Sequence, residues 1–183
     1  MPRLRIVVAT FAVAGATVLP VAAAAVPASA AARHHACSTH WGINPKHRGS
    51  AATTVATRVQ GVRAGRHGCF DRLVIDLSGG TRPPFSARYV KHILSAGSGR
   101  ILHVRGHARI LITVRGPAGA HFASNAVNLA DVSGFRTFRQ VRGAGSFERV
   151  TSIGLGVRAK LAFRVFELGD SHAGWRIVID VAH

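Results

Sequence analysis

The sequence predicts an all-β protein, a small β-sandwich of about eight short strands. Segments rich in Val, Ile, Thr and Phe, with alternating apolar and polar residues, recur from residue 53 onward. Gly, Ser and Pro interrupt these segments at close intervals, which is typical of turns. No long amphipathic helix pattern follows the first thirty residues. With 183 residues, 48% of them hydrophobic, the chain can form one domain with a core of ordinary size.

The first half of this region contains three predicted strands. Residues 53–63 alternate and form the first one. A turn at 64–68 connects it to a second strand at 69–77, so the two are expected to form a hairpin. Paired Gly and paired Pro within 78–84 end that hairpin. The third predicted strand is 85–94, and a Gly/Ser turn follows it.

The second half begins with a resumed strand pattern at 101–104, which becomes clear at 109–115. There Ile110, Ile112 and Val114 point to one side and polar residues mostly to the other, as in a sandwich strand with one solvent-exposed face. The later predicted elements are a single helical turn at 125–129, a strand at 135–141, a turn at 143–145, strands at 147–156 and 161–168, and a last strand that begins at Trp175.

One six-residue motif occurs twice. Arg-Leu-Val-Ile-Asp-Leu at 72–77 returns as Arg-Ile-Val-Ile-Asp-Val at 176–181. In each copy three aliphatic side chains share one face of the strand, and Arg, Val and Asp share the other. A motif that recurs near the start and at the end of an all-β region indicates a domain of two similar halves.

The chain begins with a pattern typical of a secretory leader. Arg3 and Arg5 precede an uncharged run over 6–32, which contains a small-x-small cleavage site at Ala-Ser-Ala, 28–30. Residues 1–30 are therefore predicted to be a signal peptide.

The competing interpretation is an uncleaved membrane anchor, because the uncharged run is long enough to span a bilayer. Pro20, Pro27 and the alanine-rich end of the run favour cleavage, after Ala30 or Ala32. Lipid attachment at Cys37 is disfavoured, because the preceding His-His-Ala does not match a lipid-attachment site.

Export makes the two cysteines interpretable. Cys37 and Cys69 are an even pair, and in an oxidising compartment this predicts one disulfide. The alternative is a Zn or Cu site built from His34, His35, Cys37 and His40, with or without Cys69, although the spacing matches no zinc-finger or ribbon pattern.

The charge is strongly positive. Twenty-four Lys and Arg residues oppose seven acids, which gives +17, or about +15 without the two leader arginines. Arginine greatly outnumbers lysine, as codon usage in a GC-rich genome also produces, so both codon bias and function remain open as sources of the charge. Charge alone would allow nucleic-acid binding. Export and the absence of a nucleic-acid motif argue against that function.

Three ordered blocks of the chain resemble the actinobacterial AMIN-like domain family. They are residues 62–77, residues 145–157, and the two segments 163–166 and 176–183 at the end of the chain. The resemblance implies a secreted or cell-surface protein whose fold is a sandwich of two similar antiparallel sheets. It also implies a non-catalytic module with peptidoglycan as its usual target.

The predicted organisation is a leader at 1–30, an irregular disulfide-tied segment at 31–52 and the AMIN-like domain at 53–183.

Two arrangements of the duplicated motif are possible. If the copies are antiparallel neighbours with Val74 opposite Val178, Arg72 meets Asp180 and Arg176 meets Asp76. A parallel in-register pairing would place like charges side by side. The alternative follows from the pseudo-symmetry of AMIN-like folds and places the copies in different sheets. We favour this alternative, and in both arrangements the two aspartates are structural.

Catalytic classes find little support in the sequence. His103 and His107 are four residues apart, but the intervening residues are predicted as strand and turn, so helical metal-ligand spacing is absent. A glycosidase needs two carboxylates across a cleft. Asp76 and Asp180 belong instead to the strand motif. No Gly-x-Ser-x-Gly sequence is present.

A binding module is therefore the favoured class, with no cofactor. Arg136, Arg139 and Arg142, interleaved with Phe135 and Phe138, are candidate polyanion-binding residues, since arginine suits phosphate and carboxylate. The competing interpretation is a solvated face whose phenylalanines belong to the core. Further candidates are Arg58, Arg63, Arg66 and Arg88.

The expected partner is cell-wall peptidoglycan or an anionic wall polymer, with no nucleic acid and no membrane span once the leader is cleaved. Alternative functions are a cell-surface protein–protein interaction domain and, less favoured, a hydrolase of cell-wall material. The oligomeric state is left open.

Overall fold

A computed structural model describes Cys37, residues 39–49 and residues 57–183, and this part of the chain is all β. No helix occurs in it, so it offers no apolar helix that could cross a membrane. The helical turn predicted at 125–129 is wrong, because Ala126 N–H instead closes a turn on the Ala123 carbonyl. The strands are β1 (Lys46–Arg48), β2 (Arg58–Arg66), β3 (Phe70–Ser78), β4 (Phe85–Val90), β5 (Ile93–Leu94), β6 (Ile101–Leu102), β7 (Ala108–Arg115), β8 (Phe138–Phe147), β9 (Val150–Val157), β10 (Phe163–Asp170) and β11 (Gly174–Ala182).

The predicted sandwich of antiparallel sheets is confirmed. Sheet A has the order β1-β4-β7-β9-β8, and sheet B has the order β10-β11-β3-β2. A third sheet is the hairpin β5-β6. The three strands beyond the expected eight, β1, β5 and β6, have only two or three residues each.

The main core contains inward-facing aliphatic residues of both sheets. Ile75 and Ile177 of sheet B and Ile112 and Ile153 of sheet A are all fully buried in it. Burying one such side chain contributes about 1.5–3 kcal/mol to stability. The alternating apolar residues of the sequence therefore determine which faces of sheets A and B pack against each other.

Several predicted boundaries differ from the observed ones. The glycine-rich turn expected at 143–145 lies inside β8, and the chain reverses at Glu148 and Arg149, which both have positive φ. A Cβ atom on Gly143 would overlap the Ser124 carbonyl, so this glycine serves a close approach of the chain. The expected first strand is described only from residue 57, and β2 begins at Arg58.

The strand predicted at 85–94 is divided after Val90, and its second part forms β5. Ile93 and Val104 pack with Ala144 in a second core cluster, against which Leu111 also packs. The prediction that the outer face of 109–115 is exposed to solvent is therefore wrong at Leu111. The β5-β6 hairpin region packs onto the outer side of sheet A.

Glycines on β9 make this packing possible. A Cβ atom on Gly156 would overlap the Arg105 carbonyl, and one on Gly154 would press against Ile93. Side chains at these two positions would hold the hairpin region away from sheet A.

The duplicated motif occupies neighbouring strands of one sheet. β11 pairs antiparallel with β3, with Val178 opposite Val74, Asp180 opposite Arg72 and Arg176 opposite Asp76. Our preference for different sheets is wrong. After β3 the chain builds all of β4 to β9 outside sheet B, and it returns to sheet B only with β10 and β11. The second copy therefore completes the sheet of the first.

The segment before residue 53 is not irregular throughout. β1 pairs with β4 at the edge of sheet A. Cys37 and Cys69 form the predicted disulfide, with a Cα–Cα distance of 5.3 Å. The leader 1–30 and residues 50–56 lie outside the described residues. The division of the chain at residue 53 stays a prediction.

Candidate functional site

The outer face of sheet B carries three rows of side chains across its four strands. Opposite residues in the order β10, β11, β3, β2 form these rows. The rows are Arg164-Asp180-Arg72-Gly65, Phe166-Val178-Val74-Arg63 and Leu168-Arg176-Asp76-Gly61. We call this surface the arginine face, and its defining residues are Arg63, Arg72, Arg164, Arg176, Phe70 and Phe166.

Asp180 holds two of the arginines in place. Its carboxylate is fully buried, and Arg72 donates to it from Nε and Nη2 at 2.7 and 2.9 Å. Arg164 donates from Nε to Oδ2 at 2.8 Å. The hydrogen bonds to Asp180 raise the pKa of Arg72 above its ordinary value. One buried carboxylate therefore positions two guanidinium groups, and the cluster keeps a net positive charge.

Aromatic rings pack against both guanidinium groups. Arg164 lies 4.5 Å from the ring centroid of Trp41 and 5.1 Å from that of Phe166. Arg72 lies 5.1 Å from the ring centroid of Phe70. Such cation–π contacts are each worth about 0.5–1 kcal/mol at exposed sites. Trp41 also meets Phe70 edge-on, with ring centroids 5.7 Å apart, so it packs the N-terminal segment against β3.

A groove of about 330 Å³ runs between these rows. Its floor includes Val74 and Val178, which are buried, and Leu168 lines it from β10. Gly65, also in the lining, has no side chain to fill the space above β2. The groove thus combines an apolar floor with charged walls.

The walls differ in their internal pairing. Arg63 donates to Asp76 through Nε and Nη2 at 2.9 and 3.1 Å, and these bonds raise the pKa of Arg63. Arg72 is held by Asp180. Arg176 is exposed and makes no ion pair with any residue of the described ranges. Its guanidinium is the one in the groove that a ligand can take without breaking an internal pair.

Six of the seven carboxylates are engaged in structural contacts. Buried Asp71 accepts from the backbone N–H groups of Thr137 and Phe138 and lies 3.1 Å from His183 Nε2. Glu167 accepts from Arg48 and Arg82.

The two exposed aspartates cap turns. Asp131 accepts from Ser133 N–H, and Asp170 accepts from the backbone of His172 and Ala173. These bonds lower the pKa of both carboxyl groups. Within the described ranges, no group of three or more His, Cys, Asp or Glu residues lies close enough to hold a metal ion.

The structure divides the predicted Arg136-Arg139-Arg142 cluster. Arg139, at the start of β8, donates to the carbonyls of Phe135, Arg136 and Phe138, so its guanidinium ties down the preceding loop. Arg142 donates instead to the His103 carbonyl, in the connection after β6.

The two interleaved phenylalanines stack with centroids 5.7 Å apart. Phe138 is buried in the core, and Phe135 packs against it. For the phenylalanines, the competing core interpretation is confirmed. Phe135 and Arg139 line a separate cavity of about 560 Å³, together with Arg105.

The other predicted arginines are dispersed over the molecule. Arg63 is part of the arginine face. Arg58 and Arg66 are exposed at the two ends of β2, and Arg88 is exposed on β4.

The sequence alone did not predict that one surface contains Arg72, Arg164, Phe166 and Arg176. The available signal was their period-two placement on the predicted strands, which assigns each to the face opposite the core. That signal becomes a site only when β10, β11 and β3 are known to be adjacent.

The cysteine alternative is settled by the disulfide. Because the Cys37 sulfur is bonded to that of Cys69, the proposed metal site that used these sulfurs is wrong. The bond also fits an extracellular location.

Comparison with known proteins identifies the family. No curated protein and no solved structure matches the chain. The family model of the AMIN-like domain matches residues 57–183, which include ten of the eleven strands and the whole arginine face except its contact with Trp41. AMIN-like domains are envelope-associated and generally non-catalytic binding modules. This chain belongs to the AMIN-like domain family.

Proposed function

We propose that this protein is a secreted, non-catalytic module that binds cell-wall peptidoglycan through its arginine face. The observation that carries the proposal is the groove in which Arg63, Arg72 and Arg176 surround an apolar floor. The family match and the disulfide support a role in the envelope.

The chemistry of the groove fits peptidoglycan. Peptidoglycan carries carboxylates on its stem peptides, and a guanidinium binds a carboxylate through two parallel hydrogen bonds. The apolar floor at Val74 and Val178 suits the aliphatic parts of the same ligand. Because Arg72 is already fixed by Asp180, binding does not have to order that side chain. Anionic wall polymers offer the same sign of charge and are the alternative ligand.

The non-catalytic part of the proposal follows from the carboxylates. Asp76 and Asp180, the pair a glycosidase interpretation would use, are each bound to arginine. A carboxylate held in this way is poorly placed to act as a general acid. The purified protein is therefore expected to release no soluble fragments from cell walls. Release of fragments that depends on either aspartate would contradict this part.

The localisation part rests on the leader. Cleavage after Ala30 or Ala32 predicts a mature chain that begins at Ala31 or Arg33. N-terminal sequencing of the exported protein checks this. A chain that begins at Met1 or Pro2 in membrane fractions would support the anchor interpretation instead.

Wall binding is tested by sedimentation of the protein with purified walls, before and after chemical removal of anionic polymers. The proposal predicts that binding persists on stripped peptidoglycan. We also expect it to weaken as salt rises, because exposed charges are screened over about 8 Å at physiological ionic strength. Loss of binding on stripping would assign the ligand to the anionic polymer, and no binding to either material would favour a protein partner.

Two variants test the groove itself. Arg176→Gln removes the unpaired guanidinium, and Gly65→Val fills the groove without changing the charge. Each is expected to weaken binding to stripped peptidoglycan several-fold. Arg100→Gln is the matched control for charge, since Arg100 is exposed and lies outside the groove. Equal binding by all three variants would contradict the assignment of the site.

A further inference from the structure

A second large groove lies at one end of sheet A, where β4 ends and β7 begins. Its volume is about 640 Å³. Five basic residues line it: Lys91, His107, Arg109, Arg158 and Lys160. We call it the basic groove. None of these residues belongs to the arginine face.

No carboxylate neutralises the basic groove. All seven acids of the chain lie in the described ranges, and none of them lines it. Besides the basic residues, the lining contains one weakly acidic side chain, the phenol of Tyr89. Its hydroxyl donates to the Leu161 carbonyl and accepts from Leu161 N–H. Burial raises the pKa of Tyr89, so the phenol stays neutral and adds no negative charge.

The cationic side chains keep most of their donors for a ligand. Arg109 uses Nε on the Val104 carbonyl, and its terminal nitrogens have no hydrogen-bond partner among the described residues. Lys91 and Lys160 are exposed, and Lys160 Nζ lies 5.7 Å from the ring centroid of Tyr89. Arg158 makes no ion pair with any residue in the described ranges. Four Lys and Arg side chains in one concave surface attract anions strongly.

The type of donor indicates the type of anion. The basic groove presents mostly donors, so it suits a ligand whose recognised groups only accept hydrogen bonds. A stem-peptide carboxylate is accompanied by amide N–H groups that need acceptors, whereas a phosphodiester presents acceptors alone. Lysine is a compact charge suited to phosphate. Two of the three lysines in this arginine-rich chain line the groove.

We propose that the basic groove binds a phosphodiester-linked polyanionic chain, independently of the arginine face. The protein then has two binding surfaces of different chemistry, one for carboxylates over an apolar floor and one for phosphates. This goes beyond peptidoglycan binding, and either surface can be lost without the other.

The test measures binding of the purified protein to fluorescent poly(glycerol phosphate) of defined length. The Lys91→Gln/Lys160→Gln double variant is expected to bind on the order of tenfold more weakly near physiological salt, because each phosphate contact releases counterions. The slope of log affinity against log salt should fall by about 2. The Arg100→Gln/Arg115→Gln control loses the same charge at two residues that do not line the groove, and it is expected to bind like the parent.

Three further measurements separate the alternatives. Lys91→Arg/Lys160→Arg should retain binding, which shows that binding needs the positive charge at these positions. A thermal unfolding transition of the double glutamine variant like that of the parent excludes a folding defect as the cause of the loss. Arg176→Gln should leave phosphate binding unchanged, and the double lysine variant should still bind stripped peptidoglycan. Failure of the peptidoglycan proposal therefore looks different from failure of this one.

Other outcomes would overturn the proposal. Equal losses of affinity in the double lysine variant and its control would show that binding depends only on the net charge of the protein. Groove-dependent binding of polyglutamate as tight as that of the phosphate polymer would point to carboxylates. Binding to phosphatidylglycerol vesicles but not to the soluble polymer would assign the groove to a membrane surface.

Discussion

Replacing Asp180 with asparagine removes one buried charge that holds two arginines. Asparagine has nearly the same shape, so packing is preserved and the electrostatic loss is isolated. One side-chain oxygen can still accept from Arg72. The new NH₂ group takes the place of Oδ2 and faces two donors, Arg72 Nη2 and Arg164 Nε. The substitution therefore exchanges two ion pairs for contacts between donors.

The size of the loss follows from burial. Breaking a fully buried pair costs about 3–5 kcal/mol. The Asp180 side chain is 0% exposed, but Arg72 and Arg164 are 24% and 42% exposed and can regain water. We therefore expect a destabilisation of about 3 kcal/mol, near the lower end. For a domain of this size that lowers Tm by roughly 6–12 °C.

Asp76→Asn is the matched control in the same motif. Asp76 has one partner, Arg63, and the two side chains are 34% and 58% exposed. This substitution is expected to cost no more than about 1 kcal/mol. Thermal unfolding followed by circular dichroism compares both variants with the parent.

Three results would refute this reasoning. One is equal Tm shifts for the two variants, and another is an Asp180→Asn variant that melts like the parent. In the double-mutant cycle with Arg164→Gln, additive losses would show that Arg164 and Asp180 are not coupled. If either aspartate variant melts like the parent yet loses binding or a hydrolytic activity, the carboxylate is functional.

The remaining predictions concern the disulfide, one glycine and one turn. Reducing Cys37–Cys69, which are 32 residues apart, should destabilise the exported protein by about 3–4 kcal/mol, measured as thermal unfolding with and without reductant. Gly156→Ala should cost about 3 kcal/mol or more by chemical denaturation, because its Cβ would overlap a main-chain carbonyl, whereas Gly68→Ala meets nothing and should be near neutral. The backbone hydrogen bonds that lower the pKa of Asp170 stabilise its turn above the unfolded pKa of about 3.9, and this stability is lost as pH falls through the folded value. The protection factors of the two bonded amides, which are exchange rates corrected for their intrinsic pH dependence, should fall only in that range.

The duplicated motif shows how far the sequence predicts this fold. Its period-two pattern assigned Ile75 and Ile179 to the core and Arg72 and Asp180 to the outer face, and the structure agrees. The cross-strand register was also derivable, given antiparallel neighbours. Whether the copies are neighbours was not, because adjacency depends on the path of every strand between them. The local sequence pattern determines which face of a strand is buried, whereas the topology of the whole chain determines which strands are neighbours.

Glycine was the least reliable residue type for predicting where the chain turns. At 143–145 it was interpreted as a turn, since glycine usually marks a reversal of the chain. In the structure Gly143 permits the 124–126 segment to approach β8, as Gly156 permits the close approach of the Arg105 carbonyl. A single sequence does not distinguish a glycine that bends the chain from one that admits a neighbour, because the second reason lies in another part of the chain.

Codon usage and function are two explanations of the positive charge. The positions of the charged residues distinguish between them better than the number of these residues does. Codon bias can produce an excess of arginine over lysine throughout a chain, but it does not place Lys91 and Lys160 in one groove with no acid in its lining. It also does not explain why two of the seven carboxylates, Asp76 and Asp180, fix arginines on one open face. A protein that needed only solubility could leave its arginines mobile. Fixing them on one surface is useful when that surface meets a ligand, because the cost of ordering the side chains is then met during folding.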